Sequence, residues 1–165
     1  MFKLIMCFMV VISATLIGNS YSQRISNRVK CLNDVIEAIS RMRALISFSG
    51  MNIQNVVIDS FKNTSLAKLF LSKEDEAEDF YVWWSSSLDC IEKSMGINKE
   101  DKELLLKFGR GLGKTDTEGQ LEHLELYKEL FIQRLNSAKD AQKEKGRLYR
   151  VLGFSLGCAV TLVLL

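Results

Sequence analysis

The residues whose types and spacing come nearest to a chemical site form the glycine-rich run Phe108-Gly109-Arg110-Gly111-Leu112-Gly113-Lys114-Thr115. Loops that end in Gly-Lys-Thr can hold the phosphates of a nucleotide through their backbone N–H groups. A P-loop also needs a glycine five positions before Gly113, and that position is Phe108. The segment upstream has the apolar spacing of a helix, whereas a P-loop requires a strand there. The spacing therefore predicts no nucleotide or other cofactor site.

The remaining reactive residue types are spaced unfavourably for catalysis and for metal binding. The four cysteines form no Cys-x-x-Cys pair, and the single histidine, His123, has no cysteine or histidine at ligand spacing. The acidic run from Glu74 to Asp79 lies at a predicted helix start, where carboxylates interact well with the helix dipole and with water. His123 lies on a charged helix and is predicted to be a surface residue. We expect neither a metal site nor an enzyme.

The composition predicts a helical chain. Its 165 residues contain no proline, which favours uninterrupted helices. Lysine and arginine number 22 against 20 aspartates and glutamates, so the excess of positive charge is small. Proteins that bind nucleic acid usually carry a clear basic excess. Nucleic acid is therefore not expected as a partner.

Apolar periodicity predicts helices throughout residues 24–150. Spacings of three and four from Ile25 to Ile46 predict one long helix that ends near Gly50, and Asn52 can begin a short one. The aromatic-rich pattern from Ala77 to Met95 predicts a helix of five turns whose apolar face belongs to a core. A capping box is predicted at Asn98 with Asp101, and a second one at Thr115 with Glu118. The last helix then runs without a proline to Arg150.

The two ends of the chain are uncharged, apart from Lys3. Leu4 to Gln23 would span about 30 Å as a helix, which predicts that residues 1–23 form an N-terminal transmembrane helix. Residues 151–165 would cover about 22 Å and are predicted to form a short C-terminal transmembrane helix. A signal peptide cleaved near Ser20-Tyr21-Ser22 is the alternative for the first segment. Basic residues flank the middle on both sides, which predicts that residues 24–150 face the cytoplasm.

These segments define the expected architecture and two candidate contact sites. The fold class is all-α, an antiparallel helical bundle between two terminal transmembrane helices. Gly153 and Gly157 lie four residues apart and could form a notch for packing against another membrane helix. The charged turn of the last two bundle helices is predicted to lie at the tip far from the bilayer and to bind a partner protein through Arg110, Lys114, Asp116 and Glu118.

The glycine-rich turn and the C-terminal tail also carry a family resemblance. The pattern Phe108-Gly109, Leu112-Gly113, Asp116 and Gln120, followed by a long charged helix and by Leu152-Gly153 and Gly157 in a leucine-rich tail, resembles the stage III sporulation protein AB family. Members of that family have the same length and the same two terminal segments. The chain departs from the family between Phe48 and Ile53, where it lacks the usual tyrosine and proline.

The resemblance implies a role in endospore formation. It implies a membrane platform or assembly component of the channel complex that joins mother cell and forespore, located in the mother-cell membrane facing the forespore. It also implies a fold similar to the cytoplasmic domain of type II secretion platform protein F. Its partners would be the secretion-type ATPase of that complex, other membrane components and the lipid bilayer. A membrane-anchored helical sensor or regulator unrelated to secretion is the alternative function.

Overall fold

The computed structural model describes residues 2–48, 52–71, 79–91 and 95–164. It describes only the backbone for residues 2–8, 10–11, 14–15, 18, 71, 145–150, 152–154 and 156–164. All regular structure within the described ranges is helical. The helices are α1 (Phe2–Phe48), α2 (Ile53–Phe61), α3 (Ala67–Leu71), α4 (Phe80–Asp89), α5 (Lys99–Gly111) and α6 (Thr117–Leu164).

Helices α1 and α6 lie side by side and run antiparallel over most of their length. Arg43 of α1 forms an ion pair with Glu125 of α6, and Gln142 of α6 donates a hydrogen bond to Ser26 of α1 over 2.9 Å. A step of 17 residues along each helix separates the two contacts, so the pairing keeps one register. The end of α1 and the start of α6 therefore lie together at one end of the bundle, here called the turn end. Both chain ends lie toward the other end.

Local capping signals set where the shorter helices begin. Asn52 accepts a hydrogen bond from Gln54 N at the start of α2, and Asp79 accepts one from Tyr81 N at the start of α4. Asn98 and Asp101 form the predicted reciprocal capping box of α5. These side chains satisfy backbone N–H groups that have no partner within the helix.

The core fills the space between the α1–α6 pair and the four short helices. Its centre is aromatic: Phe70 stacks on Trp84 with ring centroids 5.1 Å apart, and Phe108 meets Trp84 edge to face at 5.8 Å. Phe131 of α6 approaches Phe108 from the other side at 6.2 Å. Helix α6 contributes four buried apolar residues to the core, which are Leu124, Phe131, Leu135 and Ala138.

One ion pair inside the bundle joins α1 to the first turn of α5. Arg28 Nε lies 2.7 Å from Asp101 Oδ2, and Arg28 Nη2 lies 3.0 Å from Asp101 Oδ1. The Asp101 side chain is fully buried and that of Arg28 is 17% exposed. Gly96, just before α5, has φ of 74° and lies so close to α1 that a Cβ there would come within 2.2 Å of the Arg24 carbonyl oxygen. The fixed approach of backbone to backbone holds α5 in position to form the ion pair.

The prediction of two terminal transmembrane helices is wrong. Among the described residues, no helix has a stretch of sufficient length and hydropathy to cross a bilayer. An uncharged segment is not necessarily an apolar one. The segment that ends at Gln23 closes with Gly18-Asn19-Ser20-Tyr21-Ser22-Gln23, and the uncharged C-terminal segment has only 15 residues. Both predicted domain boundaries, at 23/24 and at 150/151, fall inside the continuous helices α1 and α6.

Two local predictions also need correction. The aromatic helix ends at Asp89 rather than near Met95. Its buried residues are Trp83, Trp84, Ser87 and Leu88. Helix α6 begins one residue later than a Thr115 cap would give, because Asp116 Oδ1 accepts the hydrogen bond from Gly119 N over 3.1 Å. The acidic run that is predicted to lie at a helix start falls outside the described residues except for Asp79.

Candidate functional site

The three glycines of the α5–α6 turn each have a different neighbour. A Cβ at Gly109 would lie 2.2 Å from Trp84 of α4, and one at Gly111 would lie 2.2 Å from the His123 ring of α6. Gly113 has φ of 77°, in the left-handed region that favours glycine, and faces Ile53 of α2. The turn is therefore the place where α2, α4, α5 and α6 meet. Close packing of neighbouring helices accounts for its glycines.

Gln120 holds the turn closed. Its side chain is 5% exposed, and its Oε1 accepts a hydrogen bond from Gly113 N over 3.2 Å. Its Nε2 donates to Thr115 Oγ1 over 2.9 Å and to the Gly111 carbonyl over 3.4 Å. One amide thus forms hydrogen bonds with groups on both sides of the turn. The spacing of residues in the sequence does not indicate this role.

His123 is half-buried, and the prediction of a surface histidine is wrong. Its ring stacks parallel to Phe108 with centroids 5.6 Å apart, and Nε2 lies 2.9 Å from the Phe108 carbonyl oxygen. The Tyr127 ring lies 4.6 Å from the His123 ring and 5.4 Å from the Phe108 ring, so the three rings form one cluster. The space left by the absent side chain of Gly111 admits this ring. His123 is held as a packing residue of the α5–α6 contact.

The four residues predicted to bind a partner do not form one uniform cluster. Lys114, Asp116 and Glu118 are exposed on the turn and on the first turn of α6, and Asp116 also caps that helix. Arg110 lies in the last turn of α5 and points to α4, where its guanidinium stands 5.3 Å above the Tyr81 ring. Its Nη2 also donates to Tyr81 Oη over 3.4 Å. The structure thus presents Lys114 and Glu118 at the turn end with Arg110 fixed beside them.

The predicted helix-packing notch at Gly153 and Gly157 lies on α6, whose backbone is helical there. The surroundings of these two glycines lie outside the described residues. The notch was predicted for a membrane helix, and the described residues contain no such helix.

A second candidate region is a half-open pocket of about 210 Å³ beside α1. It is lined by Asn27, Lys30, Cys31, Ser65 and Met95. Cys31 Sγ lies 3.6 Å from Ser65 Oγ, and Ser65 N donates to Asp34 Oδ2 over 2.8 Å. Burial raises the pKa of the Cys31 thiol, with a smaller opposing effect of the Ser65 hydrogen bond. A raised pKa keeps the thiol protonated and a poor nucleophile at neutral pH.

We therefore expect Cys31 to be alkylated more slowly than the exposed Cys90 in the folded protein. Iodoacetamide labelling at pH 7.5, resolved by peptide mass spectrometry, should show a rate difference of about tenfold or more, because access and thiolate fraction are both reduced at Cys31. In denaturant the two rates should converge. Equal rates in the folded protein would contradict the burial of Cys31.

The described residues were also searched for groups of side chains that could bind a metal ion. Within the described part of the chain, no three histidine, cysteine, aspartate or glutamate side chains come together in a way that could hold a metal ion.

Comparison with known proteins identifies relatives over the full length. The family model described as "Stage III sporulation protein AB (spore_III_AB)" matches residues 3–165. Stage III sporulation protein AB of Bacillus subtilis (strain 168) is 22% identical over 171 residues, which cover all of both chains. No solved structure matches the chain. The family model and the Bacillus subtilis protein confirm the family resemblance that the glycine-rich turn and the tail indicate.

Proposed function

The chain belongs to the stage III sporulation protein AB family, and on that premise we propose that it is a non-enzymatic platform or assembly component of the channel complex between mother cell and forespore. It engages the secretion-type ATPase of that complex through the turn end of its bundle. Its place is the mother-cell membrane that faces the forespore, with the bundle on the cytoplasmic side and other membrane components as further partners.

The observation that carries this proposal is the rigid, charged turn end. Gln120 and the close packing of Gly109 and Gly111 fix the backbone of the turn, so Lys114 and Glu118 project from a preformed surface. A preformed surface loses little conformational entropy when a partner binds. Charges at the rim of an interface mainly steer association.

The reactive side chains support a role without catalysis. The His123 ring is half-buried and contacts both Phe108 and Tyr127. Cys31 is buried, and its pKa is raised. Neither group is both exposed and activated, as a general base or a nucleophile would need to be.

We expect the double variant Arg110→Glu, Lys114→Glu to weaken binding of the ATPase by about tenfold or more at low salt, because each change replaces a positive charge at the turn end with a negative one. The effect should shrink as salt rises, while the helical circular dichroism signal stays the same. Binding of the full chain to the purified ATPase can be followed by biolayer interferometry at several salt concentrations.

The matched control is Lys139→Glu, Lys143→Glu, which makes the same change of net charge at two exposed positions of α6 far from the turn. The control should bind like the unaltered chain. Equal binding by both double variants would place the docking surface elsewhere on the bundle. A lack of any ATPase binding by the unaltered chain would overturn the ATPase as partner.

A further inference from the structure

The end of α5 is fixed by side chains of α6. The last four carbonyls of a helix have no partner within it, and in α5 these belong to residues 108–111. The Phe108 carbonyl oxygen lies 2.9 Å from His123 Nε2, which carries the proton in this contact because a carbonyl can only accept. The Gly111 carbonyl accepts a hydrogen bond from Gln120 Nε2 over 3.4 Å. Helix α6 therefore supplies capping groups for α5 from two side chains three residues apart.

Gln120 also holds the residues on both sides of Lys114. Its Oε1 accepts a hydrogen bond from Gly113 N over 3.2 Å, and its Nε2 donates to Thr115 Oγ1 over 2.9 Å. The backbone at Gly113 has φ of 77°, which glycine adopts without strain. Lys114 lies between these two residues, so the direction of its backbone is set from inside the bundle.

A partner protein that docks on the turn end meets Lys114 but not Gln120. Lys114 is exposed, whereas Gln120 is only 5% exposed and its amide groups point to the backbone and hydroxyl of the turn. Any effect of Gln120 on binding must therefore pass through the conformation of the turn that it holds.

We propose that Gln120 is the positioning residue of the docking surface at the turn end, an inference that rests on the proposed function. Gln120 fixes the backbone at Lys114 before the partner arrives, so the partner meets the ammonium group in one place. Without these hydrogen bonds the turn has several conformations, and binding has to select one of them at a cost in conformational entropy. The charge of Lys114 then contributes less to binding, because its position is averaged over those conformations.

A double-mutant cycle on ATPase binding tests this inference. In the full chain, Lys114→Glu should weaken binding to the purified ATPase by about fivefold at low salt, and Gln120→Met should weaken it by about tenfold. Methionine is close to glutamine in size but lacks its amide donor and acceptor. In the Gln120→Met background, Lys114→Glu should weaken binding by less than about twofold, because the two residues act as one unit.

Two further variants keep the test sharp. Gln133→Met is the matched control, because it makes the same substitution at an exposed position of α6 away from the turn, and it should bind like the unaltered chain. Thr115→Val removes only one hydrogen bond of the Gln120 side chain, at an exposed position where the fold should tolerate the change. It should weaken binding by about twofold to threefold, since the other bonds of Gln120 remain.

Amide hydrogen exchange separates positioning from a general loss of stability. In Gln120→Met the Gly113 amide should exchange at least about tenfold faster, because it loses its acceptor, while the amide of the fully buried Leu32 in α1 keeps its rate. An equal rise in exchange at Gly113 and Leu32 would show that Gln120 stabilises the whole bundle and would overturn the inference.

The outcomes distinguish this inference from the proposed function. If Lys114→Glu weakens binding by the same factor in both backgrounds, or if Gln120→Met binds like the unaltered chain, the positioning role is overturned and the docking surface stands. If the unaltered chain does not bind the ATPase at all, the proposed function fails and the inference fails with it.

Discussion

Asp101→Ala is expected to lower the free energy of unfolding by about 3–5 kcal/mol, because it leaves the Arg28 guanidinium largely buried without its carboxylate partner. Asp101 is fully buried, contacts Arg28 through both carboxylate oxygens, and also caps the first turn of α5. Urea unfolding followed by circular dichroism measures the change. This variant should have the largest effect of any single change to a polar residue of the bundle.

Glu100→Ala is the matched control, since Glu100 is the neighbouring residue and its ion pair with Arg134 is exposed. Exposed pairs contribute about 0–1 kcal/mol, so this variant should unfold almost like the unaltered chain. The double variant Arg28→Met, Asp101→Leu removes both charges and should recover part of the lost stability. If Asp101→Ala costs no more than Glu100→Ala, the buried ion pair does not hold α5 on α1.

Gly109→Ala is expected to destabilise the protein by about 2–3 kcal/mol, although alanine normally favours a helix over glycine by about 1 kcal/mol. The new Cβ would lie 2.2 Å from Trp84 Cδ1 and Nε1. The indole cannot move away easily, because Trp84 Nε1 donates to the Leu105 carbonyl over 2.9 Å and the ring is fully buried. The melting temperature and the urea midpoint should both fall.

A double-mutant cycle separates this clash from other effects of the substitution. In a Trp84→Leu background the smaller side chain leaves room, so Gly109→Ala should cost little or even stabilise the protein. The same loss in both backgrounds would show that the Trp84 ring is not the obstacle.

Features of this fold can be predicted from the sequence when the residues that cause them lie close together along the chain. The capping box of α5 is readable because Asn98 and Asp101 lie three residues apart and act on the backbone between them. The ion pair from Asp101 to Arg28 is not readable, because the partner lies 73 residues away and only the packed fold brings it near. The same holds for Gln120, whose bonds to Gly111, Gly113 and Thr115 depend on the shape of the turn.

The errors have related causes. The glycine-rich run lacks the P-loop spacing, and α5 ends within it at Gly111. The rings that lie against Gly109 and Gly111 belong to α4 and α6, and the sequence alone does not indicate them. The sequence predicts too long an aromatic helix because no glycine or proline, which would indicate a helix end, lies between Asp89 and Met95. Its end is set instead by the path to Gly96, which must reach the backbone of α1. Partner-binding surfaces are harder still to predict. In the sequence, Lys114 and Glu118 cannot be distinguished from other charged residues that only contact water.

The pairing of α1 with α6 bears on how the chain folds during synthesis. Ser26 and Gln142 touch across 116 residues of sequence, and α6 supplies one wall of the core along α1. When α1 leaves the ribosome, the surface that will cover its apolar side has not yet been made. Contacts of such long sequence separation slow folding, because a large loop must close before they form. The nascent helix must therefore keep its apolar side from other chains until nearly the whole protein has been translated.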